Sequence, residues 1–367
     1  MHQKRIDYLQ ELMVANKINI LAINAGVDLQ YLTGMSFHLS ERPAVLLVPP
    51  EGESAFIFPE FESGKADQSQ IELALFPYPE DNRIWLDVFA RAAKHLNLSQ
   101  KTISVAPETM RYLELDLIQK AAGHSRFDSA QEVIKTLKIQ KDENEIAAIR
   151  KAISIAEKAL IHLLPHIKPG TSEKSIANQL VINLLSEGCE PEIPFPPIIA
   201  SGPNSASPHS VPTERIIQIG DSLIIDWGAR HNGYISDITR TFFVGAENNE
   251  MREAASVVLE ANKSARAIVR EGIPANKVDA AARDVITHSG YGEAFTHRTG
   301  HGIGLVPHED PYISSTNSLV LKTGMVFTIE PGIYLPGKGG IRIEDDVLVN
   351  KDTFETLTNL PREVAVI

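Results

Sequence analysis

The C-terminal part of the sequence repeats itself. Lys168-Pro169-Gly170 leads through a helical stretch to Gly188, and Arg270-Glu271-Gly272 leads through another to Gly290. Both glycine pairs are therefore 102 residues apart (170 to 272 and 188 to 290). A glycine closing each stretch suits a left-handed helix cap. Pro208-His209 with Pro212 then answers Pro307-His308 with Pro311 at a spacing of 99. Gly220, Asp226 and Gly228 answer Gly324, Glu330 and Gly332 at 104, and Gly233 with Asp237 answers Gly340 with Glu344 at 107. Each half reads as helix, helix, histidine segment, acidic strand, turn, second acidic strand, and loop insertions account for the drifting spacing. Such a chain is expected to fold as two similar halves about a pseudo-twofold axis.

The acids in this frame stand in costly places. Ser222-Leu223-Ile224-Ile225-Asp226 is a β-type run that ends in a carboxylate, which is expensive to bury. Asn232-Gly233 is a hairpin signal, and a strand is expected from about Tyr234 to Val244. Antiparallel pairing would bring Asp237 near Asp226. The second half repeats the arrangement with Glu330, after Met325–Ile329, and with Glu344. Four carboxylates meeting inside a sheet cannot all stay ionised unaided. Two divalent cations would balance them, and oxygen-rich ligation with one nitrogen suits Mn²⁺, Co²⁺ or Zn²⁺. His301, in Thr299-Gly300-His301-Gly302-Ile303-Gly304, is the natural nitrogen donor, because the glycines let backbone approach closely. His308 and its repeat mate His209 fall outside this set and could face a substrate or an oxyanion. Singly, an aspartate before glycine reads as a turn residue and a histidine among glycines as structural. Asp345 and Asp346 read as an acid run on a solvated face. The pairing of four acids by duplication is what points to a metal site.

Upstream, Ile6–Asn16 has helical spacing, and β-type runs follow at Ile20–Ile23, Ala44–Val48 and Ala55–Phe58. Helical stretches near Trp85–Leu96 and Glu108–Lys120 complete an α/β pattern. A boundary falls between Ser129 and Lys141, giving expected domains 1–130 and 131–367. A long amphipathic helix then carries Ile146, Ile149, Ile153, Ala156, Leu160 and Leu163 on one face, with Asp142 and Glu143 in its first turn and Pro165 as its stop. The expected class is thus α/β (α+β) in two domains. Cys189 is the only cysteine, which fits a reducing cytoplasm, and the residues from Met1 to Asp7 do not read as a secretory signal. A net charge of −12 argues against nucleic acid or an anionic membrane as partner.

These segments resemble the pita-bread metallopeptidases, the superfamily of methionine aminopeptidase, aminopeptidase P, prolidase and creatinase. The resemblance is carried by Ile225–Gly228, Ser236–Thr241, Thr299–Leu305, Phe327–Gly332 and Gly340–Asp345, and spans about Lys141 to the C-terminus. Asp28–Gly34 and Arg42-Pro43 are similar to the creatinase/prolidase N-terminal domain, which argues against the methionine aminopeptidase branch. The resemblance implies that Asp226 chelates one metal, that His301 and Glu330 hold the other, and that Asp237 and Glu344 bridge the pair. It implies substrate-facing roles for His209 and His308 and a site arginine at Arg342. Arg298 departs from the pattern, standing where several relatives have glycine. The implied activity is hydrolysis of Xaa-Pro bonds with two divalent ions, Mn²⁺ first among them. Glu330 would carry the proton to the leaving nitrogen. A short proline-containing peptide is the expected partner and a homodimer the expected assembly. Dipeptides are the preferred substrate, with Arg342, Arg298 or His38 available to recognise a free carboxylate. The alternatives are an aminopeptidase P on longer peptides, a metal-free creatinase-like hydrolase and a non-catalytic binding module.

Overall fold

Short apolar runs separated by Gly and Pro lay down the strands of the first unit, Met1–Lys138, one of two compact units into which the chain divides. The computed structural model describes residues 1–123 and 125–367. Among the described residues the first unit holds a six-stranded sheet in the spatial order Leu73–Tyr78, Ser54–Pro59, Val45–Val48, Ile20–Asn24, Thr102–Val105, Arg126–Ser129. Val45–Val48 is antiparallel to both of its neighbours, and the remaining pairings are parallel. The central strands are apolar without alternation because both faces are covered. Ile20 and Ala22 pack with Phe89 and Leu117 of helices Trp85–His95 and Tyr112–Ala122. Leu21 and Ile23 turn the other way, toward Leu9 of helix His2–Ala15.

The second unit, Ile139–Ile367, realises the duplication. Its first helix, Glu143–Leu163, opens on a capping box in which Asp142 accepts from the Asn144 and Glu145 amides and Glu145 returns a bond to the Asp142 amide. Such a cap contributes about 1 kcal/mol. The stripe Ile146, Ile149, Ile153, Ala156, Leu160 and Leu163 is buried as its spacing predicts. Among the described residues the strands Ala365–Val366, Ile238–Phe243, Ser222–Trp227 and Ile198–Ser201 form one sheet, in that order. Glu309–Ile313, Gly300–Gly302, Val326–Ile329, Asp345–Val349 and Phe354–Thr356 form another. Helices Asn249–Ala267 and Ala275–His288 pack through Met251, Val258, Val278 and Ile286 onto Phe327, Ile329 and Val347 of the second sheet.

The equivalence extends to single hydrogen bonds. The Gly170 amide donates to Ile217 O and the Gly272 amide to Leu321 O. The isolated bridge Ser172–Ile216 is matched by Pro274–Val320. Gly188 (φ 94°) and Gly290 (φ 86°) take the left-handed conformation just past their helices. Asn232 (φ 51°) and Gly233 (φ 79°) do so in the turn joining Arg230–His231 to Tyr234–Ile235, as a type I′ hairpin requires. The strand expected from Tyr234 to Val244 is interrupted. Ser236 O lies so close to Gly228 that a Cβ there would stand 2.1 Å away, and the Asp237 amide donates to Asp346 Oδ2 (3.2 Å) rather than to a ladder. The ladder resumes at Ile238, with Thr239 opposite Asp226. Because strand faces alternate, Asp237 and Thr239 share a face.

Candidate active site

Each half delivers its acids at the end of a central strand. Asp226 closes the core of Ser222–Trp227, and Glu330 follows Val326–Ile329, its amide held by Thr299 O at 2.7 Å. Asp237 and Glu344 stand just before Ile238–Phe243 and Asp345–Val349. The two halves are stitched there, since the Glu344 amide donates to Thr239 O (3.1 Å) and Arg240 Nη1 to Glu344 O (2.6 Å). His301 sits in Gly300–Gly302 at the closest backbone approach in the site. A Cβ on Gly300 would lie 1.8 Å from Thr328 O, and one on Gly302 2.3 Å from Asp310 O. Only glycine lets this strand nest where it does.

The structure brings Asp226, Asp237, His301, Glu330 and Glu344 to one cavity of about 640 Å³ together with His209, His308 and Arg342. Single donor atoms of Asp237, His301 and Glu344 lie within 4.8 Å of one another. His301 Nε2 is 3.5 Å from Glu330 Oε1 and 3.7 Å from Asp237 Oδ2, longer than a hydrogen bond. Its Nδ1 faces Gly302 O at 3.2 Å and must carry the proton, since a carbonyl only accepts. The Nε2 lone pair is thus turned toward carboxylates. Fixing the tautomer through the second nitrogen is a common feature of metal-ligating histidines. Burial, with His308 close by, pushes the His301 imidazole well below its ordinary value.

The carboxyls are displaced upward. Burial and then Glu344 hold Asp237 well above the usual carboxylate range, and burial and then Glu330 do the same to Glu344. Burial lifts Glu330 to about 7 against the opposing pull of Arg342. Asp226 is raised by burial despite an Arg342 Nη2 bond of 2.6 Å to its Oδ2. Its Oδ1 is buried and has no hydrogen-bond partner among the described residues. A neutral imidazole, crowded acids and an orphaned carboxylate oxygen share one remedy, which is positive charge placed among them. Divalent cations fit this donor set.

Residue patterns of two known families divide the chain. Residues 147–351 match metallopeptidase family M24, and residues 5–139 match the creatinase/prolidase N-terminal domain. The chain belongs to metallopeptidase family M24. It is 36% identical over 363 residues to a Xaa-Pro dipeptidase of Pyrococcus horikoshii, covering 98% of each chain. It resembles the crystal structure of a dipeptidase from Pyrococcus horikoshii OT3 (TM-score 0.93, 38% identity, 99% of this chain and 100% of that one). It likewise resembles a recombinant prolidase from Thermococcus sibiricus (TM-score 0.93, 36% identity, 100% and 99%). The chain is a peptidase of a family that uses divalent metal.

The expected site arginine has partners in this peptidase site, Thr239, Tyr334 and, through Tyr334, His297, that the sequence did not single out. Arg342, itself 3% exposed, is a hub: besides Asp226 it donates to Tyr334 OH (2.8 Å), Pro208 O (3.2 Å) and Thr239 Oγ1 (3.0 Å). The Thr239 hydroxyl passes the contact on to Glu344 Oε2 at 2.7 Å. Tyr334 OH in turn lies 2.9 Å from His297 Nε2, while His297 Nδ1 faces Arg298 O at 2.7 Å. His297 is therefore neutral with Nδ1 protonated, and burial followed by Arg342 lowers it to about 4. Its place four residues before His301 was the available signal. Tyr334 gave none.

Asp345 and Asp346 correct the expectation of a solvated face, since both are fully buried. Asp345 is salt-bridged to Arg240 and Arg362, and Asp346 holds the Asp237 amide. His308 packs edge-on against His301 at 4.3 Å, and His209 stands exposed on a loop at the cavity mouth. His38 is exposed in the first unit.

Proposed function

We propose that the chain hydrolyses the Xaa-Pro bond of dipeptides, using two divalent cations held by Asp226, Asp237, His301, Glu330 and Glu344. The observation that carries this reading is the turn of the His301 lone pair toward Asp237 and Glu330 at 3.7 and 3.5 Å. The relatives named Xaa-Pro dipeptidase and prolidase give the substrate class. In the proposed site Asp237 and Glu344, one from each half, would be shared between the ions. Asp226 would help hold one ion, and His301 with Glu330 the other. Bound metal supplies Lewis acidity at the scissile carbonyl and water acidified toward neutral pH.

The chain's own residues do the rest. His209 and His308 flank the cavity mouth and floor and orient the carbonyl whose oxygen gains charge. Glu330 moves the proton to the departing imide nitrogen. Arg342 fixes Asp226 and, through Thr239, Glu344, so both halves of the cluster share one frame. Phe195, Pro196 and Ile198 give the cavity an apolar wall suited to a pyrrolidine ring. Arg298 lies over Tyr312 at 4.4 Å, and its guanidinium has no carboxylate partner among the described residues. It is the cation placed to take a dipeptide's terminal carboxylate. Manganese is the proposed metal, on the oxygen-rich donor set. A cytoplasmic homodimer is the proposed setting, and the buried lone Cys189 accords with the compartment.

Hydrolysis of Ala-Pro, Ala-Pro-Ala and Ala-Ala, with Mn²⁺ and again after chelation, tests the reading. It expects cleavage of Ala-Pro, lost on chelation. Preference for Ala-Pro-Ala would move the assignment to an aminopeptidase acting on longer peptides, and turnover of Ala-Ala alone would refute the proline requirement.

A further inference from the structure

Two buried carboxylates outside the metal cluster hold the segments on which the site histidines ride. Glu173, fully buried at the first turn of helix Glu173–Ser186, accepts hydrogen bonds from five donors. They come from the Ser201 amide (2.8 Å) and hydroxyl (2.7 Å), from Asn204 Nδ2 (3.1 Å), and from the Thr213 amide (3.1 Å) and hydroxyl (2.6 Å). Ser201 and Thr213 are the two ends of the loop that carries Pro208-His209. The carboxylate therefore closes that loop at its base, while Arg342 grips it near the tip through Pro208 O.

Asp279, also fully buried, does related work in the other half from helix Ala275–His288. Its Oδ1 accepts from the Thr299 amide (3.2 Å) and hydroxyl (2.8 Å). Both its oxygens bind Arg283, each at 2.9 Å, and Arg283 in turn donates to His297 O at 2.8 Å. Thr299 is two residues before His301, and its carbonyl holds the Glu330 amide.

The two acids do not occupy equivalent positions of the repeat. The Glu173 amide donates to Arg215 O as the Ala275 amide donates to Leu319 O, so Ala275 is the counterpart of Glu173. In the second half the carboxylate stands four residues further along, one helical turn. Its targets differ accordingly. Glu173 reaches only the loop of His209, whereas Asp279 reaches the segment leading to His301 and Glu330. Burying a carboxylate costs several kcal/mol unless its bonds are good, and here both charges are committed to segments bearing site residues.

We propose that Glu173 and Asp279 are positioning residues with divided tasks: Glu173 sets His209 against the substrate, and Asp279 sets His301 and Glu330 for the metal. This rests on the roles given above to His209 and His301. The test compares Glu173→Gln and Asp279→Asn with the parent in three measurements. These are Mn²⁺ affinity by titration of the chelated protein, kcat and KM for Ala-Pro at saturating Mn²⁺, and the His209 ring resonance by NMR. Glu173→Gln is expected to move the His209 resonance and lower kcat on the order of tenfold, with Mn²⁺ affinity unchanged. Asp279→Asn is expected to weaken Mn²⁺ about 10- to 100-fold, to leave the His209 resonance in place and to recover most of kcat at saturating metal.

If Glu173→Gln does not fold, Thr213→Val, which removes one donor and keeps the acid, reads the same resonance. An unmoved His209 resonance in these variants, or parental Mn²⁺ affinity in Asp279→Asn, overturns the proposal. Equal loss of metal in both variants does so too, because the tasks would not be divided. His209→Ala separates the two readings. Should it leave kcat intact, the role of His209 fails, while the resonance and the metal titration still decide the positioning.

Discussion

Replacing Asp345 by Asn removes one charge and keeps the shape of the side chain. Asp345 Oδ1 accepts from Arg240 Nη2 (2.9 Å) and Thr358 Oγ1 (2.7 Å), and Oδ2 from Asn262 Nδ2 (3.0 Å) and Arg362 Nε (2.8 Å). One carboxylate thus ties strand Ile238–Phe243, helix Asn249–Ala267 and the C-terminal segment together next to Glu344. The amide would turn a donor toward donors and leave Arg240, itself 2% exposed, without its anion. Breaking a buried pair in this way costs about 3–5 kcal/mol. Part of that is linked to protonation. Burial alone would raise Asp345, but Arg240 and Arg362 hold it at about 2 against an ordinary 3.8. A folded value below the unfolded one adds stability above about pH 4 that is lost as pH falls toward 2, here about 2 kcal/mol in all. By pH 3 about 1 kcal/mol of it should be gone. Urea unfolding of chelated protein, followed by Trp227 fluorescence in a Trp85→Phe background, gives the parent–variant gap at pH 7 and pH 3. A gap below about 1 kcal/mol at pH 7, or one that does not narrow at pH 3, would refute the reasoning.

Other consequences are equally direct. Lys141, its side chain fully buried, meets Glu309 beside His308 at 2.5 Å. Lys141→Met should cost about 3 kcal/mol in urea unfolding by stranding that carboxylate, and Lys141→Met/Glu309→Leu should restore much of it. Gly300→Ala should abolish Mn²⁺ binding in titration, because its Cβ would meet Thr328 backbone that cannot yield. Arg298→Ala should raise KM for Ala-Pro about tenfold or more at near-parental kcat, with less effect on the amide Ala-Pro-NH₂. An equal effect on both would remove Arg298 from carboxylate recognition.

What was legible in the sequence was whatever repeats at short range. Glycines demanding positive φ marked helix ends and the Asn232-Gly233 turn, and apolar runs ending in acids marked the central strands. These features depend on neighbours a few residues away, so a single chain displays them. Asp345 was misread because its meaning lies in distant partners: Arg240, Asn262 and Arg362 stand 105, 83 and 17 residues from it. The His297–Tyr334 contact, 37 residues apart, joins a loop to a hairpin edge and follows no periodicity. The break at Asp237 likewise arises from tertiary packing of Ser236 against Gly228, which no local pattern announces. The acids of the site could be named in advance. Arg342 could be named too, but not the bonds through Thr239 and Tyr334 by which it orients them.

The most direct test of the central claim is stepwise return of Mn²⁺ to the chelated protein while Ala-Pro hydrolysis and bound metal are recorded together. Turnover should be absent without metal, should appear as ions bind and should plateau at two ions per chain, with Asp237→Asn flat throughout. Full turnover in the chelated protein, or a plateau unaffected by Asp237→Asn, would contradict a dinuclear peptidase centre built on these five residues.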